Sequence, residues 1–255
     1  MNMCERPLVK LRVHIAPVGF EVDRVVLPLS DLKADKVWLI VEPDIESGKA
    51  SYHYDEVKRQ LISLGIVFDE MRCDIRDLFI LLNTYREIIA QEIGNQIYIN
   101  VSTGTKIEAI AGTMASMIFR DDTVEITPYY AQPKNYEITP EIGQQFTSGY
   151  DGVIQLPNYR IERPKSRLIK TLRIIRDGQP IRKKDLIDCC VEKKLIEVDS
   201  NSKHPESAKH SQLSKNLIEP LLQWNLISVS ERGKRSRISI TQDGENILKF
   251  LPEEP

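Results

Sequence analysis

The chain has 255 residues, of which 41% are apolar and 28% carry charges of both signs, the composition of an ordinary globular protein of one or two domains. No stretch approaches the roughly 20 uncharged apolar residues that cross a bilayer, and the N-terminal segment MNMCERPLVKLRV lacks the apolar core of a secretory signal. We therefore expect a cytoplasmic protein with no membrane partner.

Strand-like and helix-like segments alternate through the first 131 residues. Strands are predicted at residues 8–15, 36–41, 66–73, 96–101 and 123–131. Helices are predicted at 21–30, 51–64, 75–93 and from the turn at 102–106 to about 119. This order indicates an α/β fold with a Rossmann-like, mostly parallel sheet, in which ligands bind beyond the carboxyl ends of the strands.

A segment rich in proline and glycine, residues 140–164, separates this region from a different pattern. Helices are predicted at 165–176, at 181–194 and from about residue 205, followed by a hairpin built from LISVS and RISI and by a last helix, TQDGENILKFL. Three helices and a hairpin are typical of a winged helix-turn-helix. We assign residues 1–158 to the Rossmann-like domain and residues 159–255 to the winged helix-turn-helix domain.

The net charge of −2 conceals an asymmetry between these domains. Residues 1–158 carry 15 Lys and Arg against 23 Asp and Glu, a net −8, whereas residues 159–255 carry 20 against 14, a net +6. A basic excess in the second domain favours a nucleic-acid partner. The cysteines and histidines are too scattered to form a metal site, so we expect reduced thiols and no metal.

The segment NVSTGTKIEAI places a polar turn between a predicted strand and a helix. Free backbone N–H groups and the helix dipole attract anions at such a position, and Lys106 adds a full positive charge. A second interpretation is a plain helix cap with a solvated lysine. Asn100 stands where a phosphate-binding P-loop has its first glycine, and Ile107 follows the lysine, so triphosphate hydrolysis is poorly supported. The helix beyond carries a stripe of small residues, which packs either on the sheet or on a twin helix.

Two segments, HIAPVGFEVDRVV and INVSTGTKIEAIAG, resemble the signature regions of CRISPR-associated Rossmann-fold (CARF) domains. The chain as a whole is similar to archaeal CARF transcriptional regulators. The resemblance implies a homodimer with a pocket for a cyclic oligoadenylate effector and no other cofactor. By position, the residues that line this pocket would be Pro17, Val18, Gly19, Phe20, Ser102, Thr103, Gly104, Thr105 and Lys106.

The helix after Pro205 is predicted to enter the major groove of double-stranded DNA, with five residues, Leu213, Leu217, Ile218, Leu221 and Leu222, facing the core. Pro220 is expected to bend or restart this helix. The predicted DNA-binding residues share a capacity for hydrogen bonding or a positive charge. They are Lys209, His210, Ser211, Gln212, Ser214, Lys215 and Asn216 on the helix, and Arg232, Lys234, Arg235 and Arg237 on the hairpin.

The leading hypothesis is therefore a DNA-binding transcriptional regulator that responds to a cyclic oligoadenylate-type nucleotide. A ring nuclease that cleaves such a nucleotide is an alternative, although no general base is evident because His14 lies inside a strand pattern. A DNA-binding protein without a nucleotide ligand is a further alternative. No catalytic residue is assigned.

Overall fold

The computed structural model describes residues 9–120, 123–137, 141, 144–196, 205–230 and 236–251. The chain forms two compact units, residues 1–162 and 163–255. None of the helices within these described ranges is long and apolar enough to span a membrane.

The first unit alternates strands and helices in the predicted order, and a short helical turn, Ile45–Ser47, lies between the second strand and the second helix. Its strands are β1 Arg12–Pro17, β2 Lys36–Val41, β3 Val67–Arg72, β4 Gln96–Asn100, β5 Glu125–Ala131, β6 Asn135–Tyr136, β7 Thr147–Ser148 and β8 Val153–Gln155. Its helices are α1 Asp23–Asp31, α2 Ser51–Ser63, α3 Leu78–Gln91 and α4 Lys106–Ile118.

Six of these strands form one sheet in the order β3-β2-β1-β4-β5-β8. The first five are parallel, and only the short edge strand β8 runs antiparallel, against β5. The chain leaves β1 toward β2 on one side and later returns to β4 on the other. The carboxyl ends of β1 and β4 therefore mark the topological switch point, where an open α/β sheet forms its crevice.

Apolar burial explains this arrangement. In β1 and β2 every residue after the first is buried, because helices cover both faces of a parallel sheet. One core cluster joins β1 and β2 to α1 and α2 and includes Val25, Leu39, Tyr54 and Leu61. The predicted helix at 75–93 begins later, at Leu78, because the Asp77 carboxylate accepts hydrogen bonds from the N–H groups of Phe79 and Ile80 and caps the helix there.

The small-residue stripe of α4 packs inside its own unit. Gly112, Ala115 and Ser116 are buried. A Cβ atom at Gly112 would lie 2.9 Å from the Tyr85 hydroxyl of α3 and 3.0 Å from the side chain of Ile99 in β4. The stripe thus lets α4 approach the sheet and α3 closely.

The second unit is a winged helix. Its elements are α5 Ser166–Gly178, β9 Ile181–Arg182, α6 Lys183–Glu192, α7 Pro205–Leu213, a π-helical turn Ser214–Ile218, α8 Glu219–Gln223, β10 Ile227–Val229, β11 Arg237–Ile240 and α9 Gln242–Phe250. Strands β10, β11 and β9 form a small antiparallel sheet.

Two sequence predictions for this unit were wrong in detail. The helix predicted at 181–194 begins at Lys183, because Ile181 and Arg182 pair with β11 and extend the small sheet. Leu222 was expected in the core but is 43% exposed, whereas Leu213, Leu217, Ile218 and Leu221 are buried as predicted. Leu222 lies about 100° around α8 from the buried Leu221 and is therefore on the outer side.

Candidate functional site

The loops after β1 and β4 meet at the switch point of the sheet. A Cβ atom at Gly19 would lie 3.0 Å from the Cα of Gly104, so the two backbones touch. The Thr103 hydroxyl donates a 2.7 Å hydrogen bond to the Pro17 carbonyl and ties the loops together. The structure therefore brings together the two segments that the sequence analysis selected, and we call them the crevice loops (residues 17–22 and 101–105).

Gly104 is held in a conformation that other residues rarely adopt. Its φ of +73° lies in the left-handed region, and a Cβ there would lie 2.6 Å from Oε2 of Glu108 and 2.7 Å from Cβ of Pro17. A glycine is thus required for the chain to turn into α4 while it lies against the β1 loop.

The start of α4 carries a complete capping box. The Thr105 hydroxyl oxygen accepts a hydrogen bond from the Glu108 N–H at 3.2 Å, and Oε2 of Glu108 accepts one from the Thr105 N–H at 2.6 Å. Thr105 and Lys106 are exposed, whereas the Glu108 side chain is fully buried. Burial raises the pKa of the Glu108 carboxyl to about 7, although the hydrogen bonds from Thr105 oppose the shift.

The two other hydroxyls of the β4 loop serve the fold. Ser102 donates to Oδ1 of Asn100 at 2.5 Å and accepts a 2.7 Å hydrogen bond from the Ala131 N–H. The Thr103 hydroxyl donates to the Pro17 carbonyl. The Thr105 hydroxyl accepts a hydrogen bond from the Glu108 N–H, and within the described residues it donates none to the loop. The loop groups that face outward are therefore Thr105, Lys106 and the backbone around Gly104.

The residues predicted from the β1 loop divide in the same way. Pro17 and Val18 are buried, and the Val18 N–H donates to the Ile40 carbonyl of β2 at 2.9 Å. Phe20 is 37% exposed, and its ring makes edge contacts with His53 and Phe146 at centroid distances of 5.6 and 5.5 Å. Gly19 and Phe20 thus belong to the accessible part of the site, whereas Pro17 and Val18 support it.

A second segment, residues 144–149, lies over the start of α1. Oε1 of Gln145 accepts hydrogen bonds from the N–H groups of Val22 at 2.6 Å and Asp23 at 2.9 Å. The Thr147 hydroxyl donates to Glu21 at 2.5 Å, and the Gly149 N–H donates to Asp23 at 2.7 Å. Gln145 was not predicted from the sequence, since no local signal links it to a helix more than 120 residues earlier. Glu108 was not predicted either, although the spacing T-x-x-E is a known capping signal.

A cavity of about 410 Å³ opens beside these contacts. Lys106 does not line it. Its lining residues are Val22, Tyr52, His53, Glu56, Arg59, Gln60, Gln144 and Gln145.

His14 is unsuited to act as a general base. It is fully buried in β1, stacks on Tyr98 with centroids 4.8 Å apart, and its Nδ1 lies 3.1 Å from the Tyr129 hydroxyl. Burial lowers the pKa of His14 to about 3. This histidine is a packed structural residue, as the sequence pattern predicted.

The helix predicted to read DNA has one continuous polar face. Ser207, His210, Ser211 and Lys215 are exposed and Ser214 is half-buried, at the spacing of residues that share one side of a helix. Asn216 is exposed, Gln212 is half-buried, and Lys209 pairs with Glu206 at 2.6 Å. On the hairpin, Arg237 is exposed, and one of its Nη atoms donates to the Pro180 carbonyl at 3.4 Å. Arg232, Lys234 and Arg235 lie outside the described residues.

Two family models match the chain. Residues 12–136 match the model described as HFX_2341_N-like, N-terminal, and residues 167–252 match the DUF6293 C-terminal winged helix domain. These matches confirm the predicted combination of a Rossmann-like domain with a winged helix. An uncharacterized protein of Methanocaldococcus jannaschii, MJ1513, is 34% identical over 143 residues, which is 52% of this chain and 42% of that protein.

The solved structures that match this chain are distant from it in sequence. Can2 from Sulfobacillus thermosulfidooxidans in complex with cyclic tetra-adenylate is 12% identical, with a TM-score of 0.38, and the match covers 94% of this chain and 63% of that one. Csm6 from Enterococcus italicus bound to cyclic hexa-2′-fluoro-hexa-dAMP is 11% identical, with a TM-score of 0.43, and the match covers 86% and 57%. This chain thus spans less than two thirds of each of these proteins.

Proposed function

We propose that this chain, which joins a CARF-like Rossmann-type domain to a DUF6293 C-terminal winged helix domain, is a DNA-binding transcriptional regulator that senses a cyclic oligoadenylate-type nucleotide. The observation that carries the proposal is the meeting of the crevice loops, which leaves Lys106 exposed at the first turn of α4. A lysine and a helix start at the switch point favour a phosphate-bearing ligand.

A homodimer would complete this site. Ile107 and Ile110 are 37% and 48% exposed on α4, directly after Lys106. We propose that a twofold axis near this face covers the two isoleucines and brings two copies of Lys106 to one ligand, which suits the repeated negative charges of a cyclic phosphodiester.

The carboxyl end of α4 contacts the chain segment that precedes α5. The Ile161 N–H donates to the Met117 carbonyl at 3.1 Å, and an Nη atom of Arg120 donates to the Asn158 carbonyl at 2.6 Å. These contacts attach the segment that leads to α5 to the last turn of the helix whose first turn carries Lys106. In the proposal, a nucleotide that moves α4 changes the path of this segment and so the affinity for DNA.

The experiment is a calorimetric titration of cyclic tetra-adenylate into the full chain and into a Lys106→Ala variant. We expect Lys106→Ala to weaken binding at least tenfold, or about 1.4 kcal/mol, because a full charge is lost beside the phosphates. Lys10→Ala is the matched control, since Lys10 is also exposed but precedes the amino end of β1. DNA affinity without nucleotide is expected to be unchanged in both variants. Equal nucleotide binding by Lys106→Ala and the wild type would show that the crevice loops are not the site.

A further inference from the structure

The helix that carries the polar face is divided into three pieces. Helix α7 ends at Leu213, a π-helical turn covers Ser214–Ile218, and α8 begins at Glu219. Within the turn the Glu219 N–H donates to the Ser214 carbonyl, five residues back rather than four. The usual spacing of four is present at the end of α8, where the Trp224 N–H donates to the Pro220 carbonyl at 3.0 Å. One extra residue is therefore accommodated in this turn, which we call the wide turn.

The wide turn decides which side chains are buried. Leu213 is 0% exposed and Ile218 is 4% exposed, although they are five residues apart. In an uninterrupted α-helix two such residues point about 140° apart, at the two sides of a buried face, whereas the extra residue in the wide turn reduces this angle by about 100°. Because the wide turn brings them nearly into line, both pack inward and the polar face of α7 is directed away from the core.

Pro220 accounts for the position of the wide turn. A proline has no N–H to donate to the carbonyl four residues earlier, here that of Asn216, and its ring collides with that carbonyl in a regular helix. A turn that widens just before the proline relieves the collision. Proline is also well tolerated in the first turn of the helix that follows, where Pro220 stands.

We propose that Pro220 is a positioning residue for DNA sequence recognition. Pro220 fixes the wide turn. The extra residue in this turn rotates the polar face of α7 by about 100° relative to α8 and the core, and this face includes Ser207, His210 and Ser211. Pro220 acts through the helix and does not itself contact a base. The inference rests on the proposed DNA binding and adds to it the feature that sets which bases the helix reads.

The test compares the full-length wild type, Pro220→Ala and Leu222→Ala by selection from a random double-stranded DNA library, with thermal unfolding as a check on folding. Leu222→Ala is the matched control, because Leu222 is 43% exposed on the same helix. Pro220→Ala restores an N–H and removes the ring. We expect Leu222→Ala to select the wild-type sequence, and Pro220→Ala to lose at least tenfold of its preference for that sequence. Its affinity for random DNA at low salt is expected to stay within about twofold, because non-specific binding is mainly electrostatic and Pro220→Ala leaves the charge of the protein unchanged.

The outcomes separate this inference from the proposed function. If the wild type binds no DNA at any salt concentration, the proposed function fails, and the role of Pro220 fails with it. If the wild type is selective and Pro220→Ala selects the same sequence with the same preference, DNA binding stands and the role of Pro220 is wrong.

Discussion

The two helices that begin at the crevice, α1 and α4, are capped in opposite ways. Helix α4 is capped by its own residues, since Thr105 and Glu108 exchange hydrogen bonds within four positions of the chain. Helix α1 begins at Asp23, and its N-cap residue, Val22, makes no side-chain cap. Instead, Gln145 from the segment after β6 accepts hydrogen bonds from the N–H groups of Val22 and Asp23. The N-terminal cap of α4 thus comes from neighbouring residues in the sequence, whereas that of α1 comes from a distant segment. We therefore expect mutations at the two helix starts to have different effects on stability.

Gly104→Ala should give the largest loss of stability, because it strains the turn that leads into α4. A Cβ in the left-handed region costs about 1–2 kcal/mol, and the collisions with Pro17 and Glu108 add about 1–3 kcal/mol, for a total of about 2–5 kcal/mol. Gly65→Ala is the matched control: Gly65 has a φ of +68° but no atom within 4 Å of a Cβ, so about 1 kcal/mol is expected. Urea denaturation measures both losses. Equal losses would show that the contact between the crevice loops is loose.

Glu108 should make the α4 site sensitive to pH. Because burial raises the pKa of its carboxyl from 4.5 to about 7, the folded chain holds this proton more tightly than the unfolded chain. Its contribution to stability is complete below about pH 4.5 and is lost as the pH rises through 7. Glu108→Gln keeps an oxygen for the Thr105 N–H and does not titrate.

We therefore expect the free energy of unfolding of the wild type to fall by about 2–3 kcal/mol more than that of Glu108→Gln between pH 4.5 and pH 8. Urea denaturation of both proteins at a series of pH values measures the difference. Parallel curves for the two proteins would contradict a raised pKa at this carboxyl.

Gln145→Ala should give the smallest loss of stability, and it tests the cap of α1 that a distant segment supplies. The variant leaves the N–H groups of Val22 and Asp23 without their acceptor, at a cost of about 1 kcal/mol, and should speed hydrogen exchange at these two amides. Gln144→Ala is the control, since the Gln144 side chain accepts instead from the Glu141 N–H. If both variants exchange these amides at the same rate, Gln145 is not the cap.

Local patterns allowed much of the fold to be predicted. Strand β2 was predicted at its observed bounds because its continuous apolar run is bounded by charged residues. The meeting of the crevice loops followed from βαβ order, which places the ends of β1 and β4 at one edge. Strand β9 could not be foreseen, because two residues become a strand only when β11 lies beside them.

The chemistry of the candidate site was harder to predict than its place. Ser102 and Thr103 have the residue types of a phosphate loop, yet their hydroxyl protons are committed to Asn100 and Pro17. Pro17 is distant in sequence and Asn100 lies in the preceding strand. Residue type alone therefore cannot show that these two hydroxyls already donate to the protein. For Pro220 the sequence predicted a bent or restarted helix, but it did not predict that a π-helical turn just before the proline accompanies the burial of both Leu213 and Ile218.

The central claim is that a nucleotide held at the crevice loops changes the affinity of the winged helix for DNA. The most direct measurement is the Kd for the selected DNA sequence with and without saturating cyclic tetra-adenylate or cyclic hexa-adenylate, across a salt series. We predict that one of these nucleotides changes the Kd at least fivefold, a coupling free energy of about 1 kcal/mol, and that Lys106→Ala abolishes the change. An unchanged Kd under conditions in which calorimetry shows the nucleotide bound would contradict the claim.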